Sequence, residues 1–510
     1  MPANDKHPDL CRLAAGVLCV GHDGSIIDSN TQAALRSTPF AGIVLFARNV
    51  QTAVQARVLT DTIRECFAGC PPIIAIDQEG GRVARLRDGA VAIPSMMSLA
   101  AAGDCDLARL AGEQIAHDLR RIGANLNFAP VLDLATHANS TVIGARAFSD
   151  DPECVTAFGR ALATGLEAGG IVATFKHFPG HGSTSTDSHL ALPVVDAQEH
   201  ALRSRDLRPF LALLPKARAV MTAHIVMKAF DPERPATLSH RLLTGLLRDE
   251  IGFTGVCFTD CMEMDAIAKT VGTAGGAVLA LQAGADCVLI SHRMELADEA
   301  IERIGEAVQA GTLPLRRLEE AFNRVQTLRR SLEEPIPLQS APRHPQIGVD
   351  IAEAAVTQVR GRVPAQGRTV VISFQGVTTE GAQGMHVPGQ PSVDATFDMQ
   401  QRIFPLEPSP QAITTLLDEI FPKYVRVIVL MRRAHLYAAQ AAAVHRILQA
   451  APDALLVSML EPADIECFPA ARNVLALYGD DTPNLVALRH IVADEAVARG
   501  KLPVRWRAVQ

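Results

Sequence analysis

Residues 176–193 concentrate reactive side chains in a short stretch rich in Gly and Pro. Within it, the triplet Asp187-Ser188-His189 spaces a carboxylate and an imidazole two positions apart. If the triplet is extended, side chains at i and i+2 point the same way, so Asp187 can reach His189. A carboxylate bonded to one ring nitrogen fixes the tautomer and leaves the other nitrogen to transfer a proton near neutral pH. The spacing predicts an Asp-His acid/base dyad, with a solvated polar loop as the alternative.

Short runs rich in Val, Ile and Leu precede and follow this stretch, with segments of helical length between them. Such alternation is typical of parallel strands joined by helices. Eight runs predict a (β/α)8 barrel, a TIM-type fold whose size of roughly 250 residues or more fits residues 10–335. The predicted strands are 13–20, 42–46, 72–76, 124–128, 170–175, 219–223, 255–259 and 285–290.

Polar side chains follow several of these predicted strands. Asp77 follows the third strand, and Lys176 and His177 follow the fifth. His224 follows the sixth strand and Asp260 the seventh. Because barrel enzymes gather reactive groups at the C-terminal ends of their strands, these residues predict a site at that rim. Structural alternatives stay open, since Asp77 could cap a helix and His224 could be a buried histidine with satisfied hydrogen bonds.

A change of composition after residue 333 predicts a second domain. Prolines punctuate a polar stretch there, which is typical of a linker. Strand-like runs at 369–374, 425–431, 455–460 and 474–478 then alternate with predicted helical segments. We predict the (β/α)8 barrel over 1–335, a linker over 336–366 and a smaller α/β layered domain over 367–510.

Composition narrows the classes of partner. A net charge of −7, without an Arg-rich tract or zinc-finger spacing, argues against nucleic acid. No apolar run reaches the length of a membrane span, and the N-terminus lacks the apolar core of a secretory signal. Ten cysteines without such a signal indicate reduced thiols, so we expect a cytoplasmic protein. The pairs Cys66/Cys70 and Cys257/Cys261 have i, i+4 spacing, but Cys is commonly a small buried hydrophobe, and we expect neither a metal nor a cofactor.

Several longer motifs together carry a family resemblance. They are Gly42-Ile-Val-Leu-Phe46, Ile76-Asp-Gln-Glu-Gly-Gly-Arg82, Asn127-Phe-Ala-Pro-Val-Leu-Asp133, Ile143-Gly-Ala-Arg-Ala-Phe148, the stretch 176–193, Met221-Thr-Ala-His224 and Phe258-Thr-Asp260. With them the chain resembles the family 3 glycoside hydrolases, specifically the NagZ-type β-N-acetylglucosaminidase branch in its two-domain form. The Asp-Ser-His triplet is the most discriminating motif, because other branches generally place a carboxylic acid in the acid/base role.

This resemblance implies a retaining, exo-acting enzyme that removes terminal β-linked N-acetylglucosamine from a small carbohydrate substrate by double displacement. It implies Asp260 as the nucleophile, His189 as the general acid/base and Asp187 as the residue that orients His189. Arg, Lys and His side chains can donate several hydrogen bonds to sugar hydroxyls and an acetamido oxygen. The residues implied around the sugar are Asp77, Arg85, Arg146, Lys176 and His177.

Three alternatives stay open at this point. A metal-dependent barrel hydrolase would use His177, His181, His224 and Asp260 as ligands. Phosphate could replace water as the acceptor, which would make the enzyme a β-N-acetylglucosaminide phosphorylase. A non-catalytic sugar-binding protein could use the same barrel. The sequence also leaves open the natural glycoside (a muropeptide of peptidoglycan recycling, a chitin oligomer or a glycoconjugate), the role of the second domain and the oligomeric state.

Overall fold

Eight parallel strands close into a barrel, which confirms the predicted (β/α)8 fold. The computed structural model describes residues 8–67, 69–182, 192–375, 399–420 and 423–505. Each strand pairs with its neighbours in chain order, and the first strand pairs with the eighth. The strands are β1 (Leu18–Val20), β2 (Gly42–Leu45), β3 (Ile73–Ile76), β4 (Leu126–Asn127), β5 (Val172–Phe178), β6 (Ala219–Thr222), β7 (Val256–Cys261) and β8 (Cys287–Ile290).

Successive side chains of the barrel strands alternate between two hydrophobic layers. In β7, Val256 and Phe258 pack in the barrel interior, whereas Cys257 packs outward against the helices. A strand has a side-chain period of two, so Asp260 continues the inward row at the end of β7. Asp77 does the same one residue after β3. The alternation therefore directs both carboxylates toward the barrel axis at its C-terminal rim.

Helices surround the barrel and begin with capping side chains in several cases; Thr52 Oγ1 accepts the Gln55 N–H at 3.1 Å. The first predicted strand, 13–20, is wrong at its start, because residues up to Ala15 belong to a helix. A short apolar run does not by itself distinguish a strand from a buried helical turn. No helix in the described ranges has the length and apolar character to cross a membrane. The barrel helices are Pro8–Ala15, Ser29–Ser37, Ala53–Cys66, Met96–Ala102, Cys105–Arg121, Pro152–Ala168, Glu199–Ser204, Arg208–Leu213, the π-helix Arg241–Glu250, Asp265–Ala268, Thr273–Ala283, Met294–Gln309 and Leu315–Arg330.

The second domain is a six-stranded sheet with helices on both faces, as the predicted α/β layer requires. Its strands are β9 (Thr357–Arg360), β10 (Thr369–Gln375), β11 (Gln400–Pro405), β12 (Arg426–Met431), β13 (Leu455–Ser458) and β14 (Asn473–Ala476). Their order across the sheet is β9-β14-β13-β12-β10-β11, and β9 alone runs antiparallel to its neighbour. Its helices are Ile347–Ala355, Pro410–Ile420, Ala438–Ala450 and Thr482–Val492.

The predicted linker, 336–366, contains regular structure between residues 347 and 360. Helix Ile347–Ala355 and strand β9 both lie inside that range. Ile347, Ile351 and Ala355 are buried at helical spacing, so this helix belongs to the packed core. The prolines before it mark only the stretch that precedes the helix, and the apolar positions of a helix of 9 residues are too short a pattern to predict it from sequence.

Candidate active site

Reactive side chains from several strands meet in one cavity at the C-terminal rim of the barrel. The cavity has a volume of about 360 Å³, within the range of roughly 300–1,000 Å³ that is usual for small-molecule sites. Phe46, Phe128 and Met221 contribute apolar walls. The predicted site residues that line it are Asp77, Arg85, Arg146, Lys176, His177 and Asp260.

Local irregularities of the barrel sheet occur where three of these residues lie. The pairing of β5 with β6 changes register within 175–178, and that of β7 with β8 changes register within 258–261. Such irregularities bend a strand and redirect its side chains. Lys176 and His177 lie in the first of them and Asp260 in the second. The predicted loop therefore begins as strand, with Lys176 and His177 on the bent end of β5.

A buried carboxylate, Glu79, holds two of the cations that line the cavity. Lys176 Nζ lies 2.7 Å from Glu79 Oε1 and 2.7 Å from Asp77 Oδ1. Arg146 binds Glu79 with two hydrogen bonds, from Nε to Oε2 at 2.9 Å and from Nη2 to Oε1 at 2.8 Å. Arg85 Nη2 lies 3.5 Å from Asp77 Oδ2. Each cation that the family resemblance implies around a sugar is thus paired with a carboxylate that lines the same cavity.

The ionised state of Glu79 follows from its neighbours. Its burial alone would raise the pKa of the carboxyl group, but the Arg146 and Lys176 charges and their hydrogen bonds lower the pKa well below its usual range. The Glu79 charge in turn raises the pKa of Arg146, against the effect of its burial. The two cations are therefore fixed before any ligand binds, which reduces the ordering cost of binding.

Asp133 fixes two histidines beside this network. Its Oδ2 lies 2.6 Å from His177 Nδ1, and its Oδ1 accepts the His181 N–H at 2.6 Å. Burial opposes ionisation of Asp133, but His177 and His181 outweigh that effect and lower its pKa. Because Nδ1 of His177 is bonded to Asp133, Nε2 is the ring nitrogen that can meet a ligand in the cavity.

Asp260 lies at the end of β7 and is half-buried. The backbone N–H of Cys261 donates to its Oδ1 at 2.7 Å. Burial lowers the pKa of the nearby His181 to about 4, although Asp133 and Asp260 act in the opposite direction. His181 is therefore neutral near pH 7, and its ring does not neutralise the Asp260 charge.

The predicted dyad, Asp187 and His189, lies outside the described residues, which stop at residue 182 and resume at 192. The chain resumes next to a short parallel pair, in which Val194–Val195 bonds to Val226–Met227 beyond the end of β6. The roles of Asp187 and His189 stay predictions.

His224 has structural contacts at both ring nitrogens. Its Nδ1 lies 2.8 Å from Thr237 Oγ1, and its Nε2 lies 3.0 Å from the carbonyl oxygen of Cys261. These contacts favour the buried structural histidine over a metal ligand. Among the described residues, a different set brings three potential metal ligands within 4.8 Å of one another, namely Cys261, Glu263 and His292.

No role in the site is predicted for Glu79 or Asp133 from the sequence, although each lies in one of the motifs that carry the family resemblance. Glu79 is 1% exposed and Asp133 is 0% exposed. An acidic residue is rarely buried unless it is paired. An acidic residue within an apolar motif at a strand end therefore indicates a buried pair. The sequence does not name their partners, because these lie elsewhere in the chain: Arg146 is in a turn after β4 and His177 is on β5.

Residues 16–328 match the glycosyl hydrolase family 3 N-terminal domain. The chain belongs to glycosyl hydrolase family 3. By that membership it is a glycoside hydrolase, and the match covers all eight strands of the barrel.

Similar proteins extend this assignment to both domains. Beta-hexosaminidase A of Pseudoalteromonas piscicida is 33% identical over 372 residues, which are 65% of this chain and 61% of that protein. The chain thus spans less than two thirds of that relative. A family 3 β-N-acetylglucosaminidase from Paenibacillus sp. str. FPU-7 is 30% identical, with a TM-score of 0.90 over 99% of both chains. NagZ from Neisseria gonorrhoeae, solved with N-trifluoroacetyl-D-glucosamine, is 33% identical, with a TM-score of 0.52 over 61% of this chain and 97% of that chain. These similarities confirm the resemblance to the NagZ-type branch.

Proposed function

We propose that the protein is a retaining, exo-acting β-N-acetylglucosaminidase. The observation that carries the proposal is the joint lining of one cavity by the Asp260 carboxylate and by the fixed pairs of Lys176 and Arg146 with Glu79. The names of the similar Paenibacillus and Pseudoalteromonas enzymes support the same substrate class.

The proposed reaction has two displacement steps. In the first, an Asp260 oxygen attacks the anomeric carbon, the glycosidic C–O bond breaks, and His189 gives its proton to the departing oxygen. In the second, His189 takes a proton from water, the water oxygen attacks the same carbon, and the Asp260 carboxylate leaves. Asp187 would orient the His189 ring and stabilise its charged form. Two inversions return the β-configuration to the released sugar.

The sugar subsite would rely on Asp77, Arg85, Arg146, Lys176 and His177. Asp77 and Lys176 are ion-paired at 2.7 Å and offer an acceptor and a donor side by side, which suits adjacent ring hydroxyls. A buried donor left without its partner costs about 1–3 kcal/mol. A glucoside lacks the acetamido group, so we expect it to be the poorer substrate.

The direct test compares aryl β-N-acetylglucosaminide with aryl β-glucoside carrying the same leaving group. We expect a preference of at least about tenfold in kcat/KM for the first, from one unsatisfied donor. Proton NMR of the first product should show the β-anomer. Equal rates on the two substrates, or release of the α-anomer, would contradict the proposal. A glycosyl phosphate formed in phosphate buffer would assign phosphate as the acceptor.

A further inference from the structure

The second domain contacts the barrel at the loops that carry the sugar-site residues. After β3, Ser95 Oγ donates to the carbonyl oxygen of Tyr478 in the second domain at 2.6 Å. After β4, Ile143 and Ala145 share a buried hydrophobic cluster with Ile465 and other residues of the second domain. The second domain therefore covers the loops that deliver Asp77, Glu79 and Arg146.

A carboxylate of the second domain lies against the turn that carries Arg146. Glu461 follows β13, is 3% exposed, and accepts two hydrogen bonds from Arg433, at 3.1 Å from Nε and 2.8 Å from Nη2. It contacts Gly144, where an added Cβ would overlap the Glu461 carboxylate. Gly144 has φ +46° and begins the short 3-10 turn Gly144–Arg146. Gly144, which contacts this carboxylate, thus lies two positions before Arg146, whose guanidinium binds Glu79.

Charges and backbone conformation support the same contact. Burial alone would raise the pKa of the Glu461 carboxyl group. The Arg433 and Arg82 charges outweigh this effect and lower the pKa to about 2, so the group is ionised. Arg82 is the last residue of the motif that contains Glu79, so Glu461 interacts with both barrel loops. Arg433 and Tyr478 have φ values of +56° and +65°. Non-glycine residues occupy this region at a cost, and they do so where the surrounding structure requires it.

We propose that Glu461 is a positioning residue of the sugar site: held by Arg433 and seated on Gly144, it fixes the turn that aims Arg146 into the cavity. The inference rests on the proposed function, since it takes Arg146 as a sugar-binding group. It gives the second domain a part in substrate binding although none of the reacting groups is proposed there. A small displacement of a binding group can cost about 10²-fold in rate.

The experiment is a double-mutant cycle on kcat/KM for aryl β-N-acetylglucosaminide. Glu461→Gln keeps the size of the side chain and removes its charge, and Glu461→Ala removes both. We expect a loss of roughly 10-fold for Glu461→Gln and more for Glu461→Ala, with the thermal midpoint above the assay temperature. In an Arg146→Ala background, Glu461→Gln should cost less than about twofold, because its effect passes through Arg146.

The control is Asp453→Asn, which breaks an exposed ion pair with Arg472 elsewhere in the second domain and should leave kcat/KM unchanged. Full additivity of Glu461→Gln with Arg146→Ala, or a folded Glu461→Gln enzyme with wild-type kcat/KM, would overturn the inference. If Glu461→Ala does not fold, Glu461→Gln decides alone. A wild-type protein without this activity would instead defeat the proposed function, which the same assay measures first.

Discussion

Charged residues lie at or just after the C-terminal ends of parallel strands in both domains, but the two sets have different surroundings. In the barrel, Asp77, Lys176 and Asp260 face a cavity. In the second sheet, Glu461 follows β13, binds Arg433, which follows β12, and lies against the barrel turn at Gly144. Parallel sheets commonly bind ligands at this edge. We infer that charged residues at such an edge can act on a substrate where the edge faces a cavity, and position other residues where another domain covers the edge.

This comparison predicts that turnover falls most when a charge is removed from the open edge, which is the barrel rim that faces the cavity. Asp260→Asn should fold and lose on the order of 10³-fold or more in kcat, because an amide is too weak a nucleophile to form the glycosyl-enzyme. Initial rates and circular dichroism check both parts. With the wild-type enzyme, a slow fluorinated N-acetylglucosaminide should label Asp260 in peptide mass spectrometry, and a label on another carboxylate would assign the nucleophile elsewhere.

A second test concerns the predicted dyad at the open edge. His189→Ala should slow glycosides with poor leaving groups by on the order of 10²-fold and activated aryl glycosides far less, because only the former need protonation as the bond breaks. Azide should partly restore turnover of activated substrates and give a β-glycosyl azide. Asp187→Ala should be milder, with a shifted pH profile. Equal slowing of both substrate types, without rescue, would make His189 a structural or binding residue.

The third test removes the buried charge that joins the two cations of the cavity. Glu79→Gln keeps the size of the side chain but leaves Lys176 and Arg146 without their shared anion, and breaking a buried pair costs about 3–5 kcal/mol. We expect a large fall in the free energy of unfolding and roughly a tenfold loss of kcat/KM. Glu320→Gln, in surface pairs with Arg316 and Arg317, is the control and should change stability by less than about 1 kcal/mol. If Glu79→Gln is as stable as the wild type, the pairs of Lys176 and Arg146 with the Glu79 charge do not stabilise the fold.

These tests also mark what the sequence alone predicts. The barrel and the place of Asp77 and Asp260 at its C-terminal rim follow from local patterns, because each residue directly follows a predicted strand. The Glu79 and Asp133 pairings need the closed barrel, since their partners are distant in the chain. Glu461 follows a predicted strand end, but its contact with Gly144 depends on how the domains pack. The helix Ile347–Ala355 is part of that packing and lies within the predicted linker.

The smallest expected effect is on stability in acid, where His181 at the barrel site and Glu461 at the domain contact should lose their contributions at different pH values. The folded pKa of His181 is about 4, against 6.5 ordinarily, whereas that of Glu461 is about 2, against 4.5. His181 binds a proton less readily in the folded chain, so its contribution to stability is complete above pH 6.5 and is lost as the pH falls toward 4. The Glu461 contribution is complete above pH 4.5 and is lost toward pH 2.

Acid should therefore weaken the barrel site before the domain contact. Chemical denaturation at a series of pH values should show the free energy of unfolding falling by about 1–2 kcal/mol between pH 6.5 and 4.5 because of His181. His22 and His292 have pKa values lowered by burial in the same direction, so a slope remains when His181 alone is replaced. His181→Asn should reduce the slope in this upper window, and Glu461→Gln should reduce it only below pH 4.5. If Glu461→Gln flattens the upper window instead, the two regions titrate in the opposite order, and the open site is not the first part of the molecule that acid destabilises.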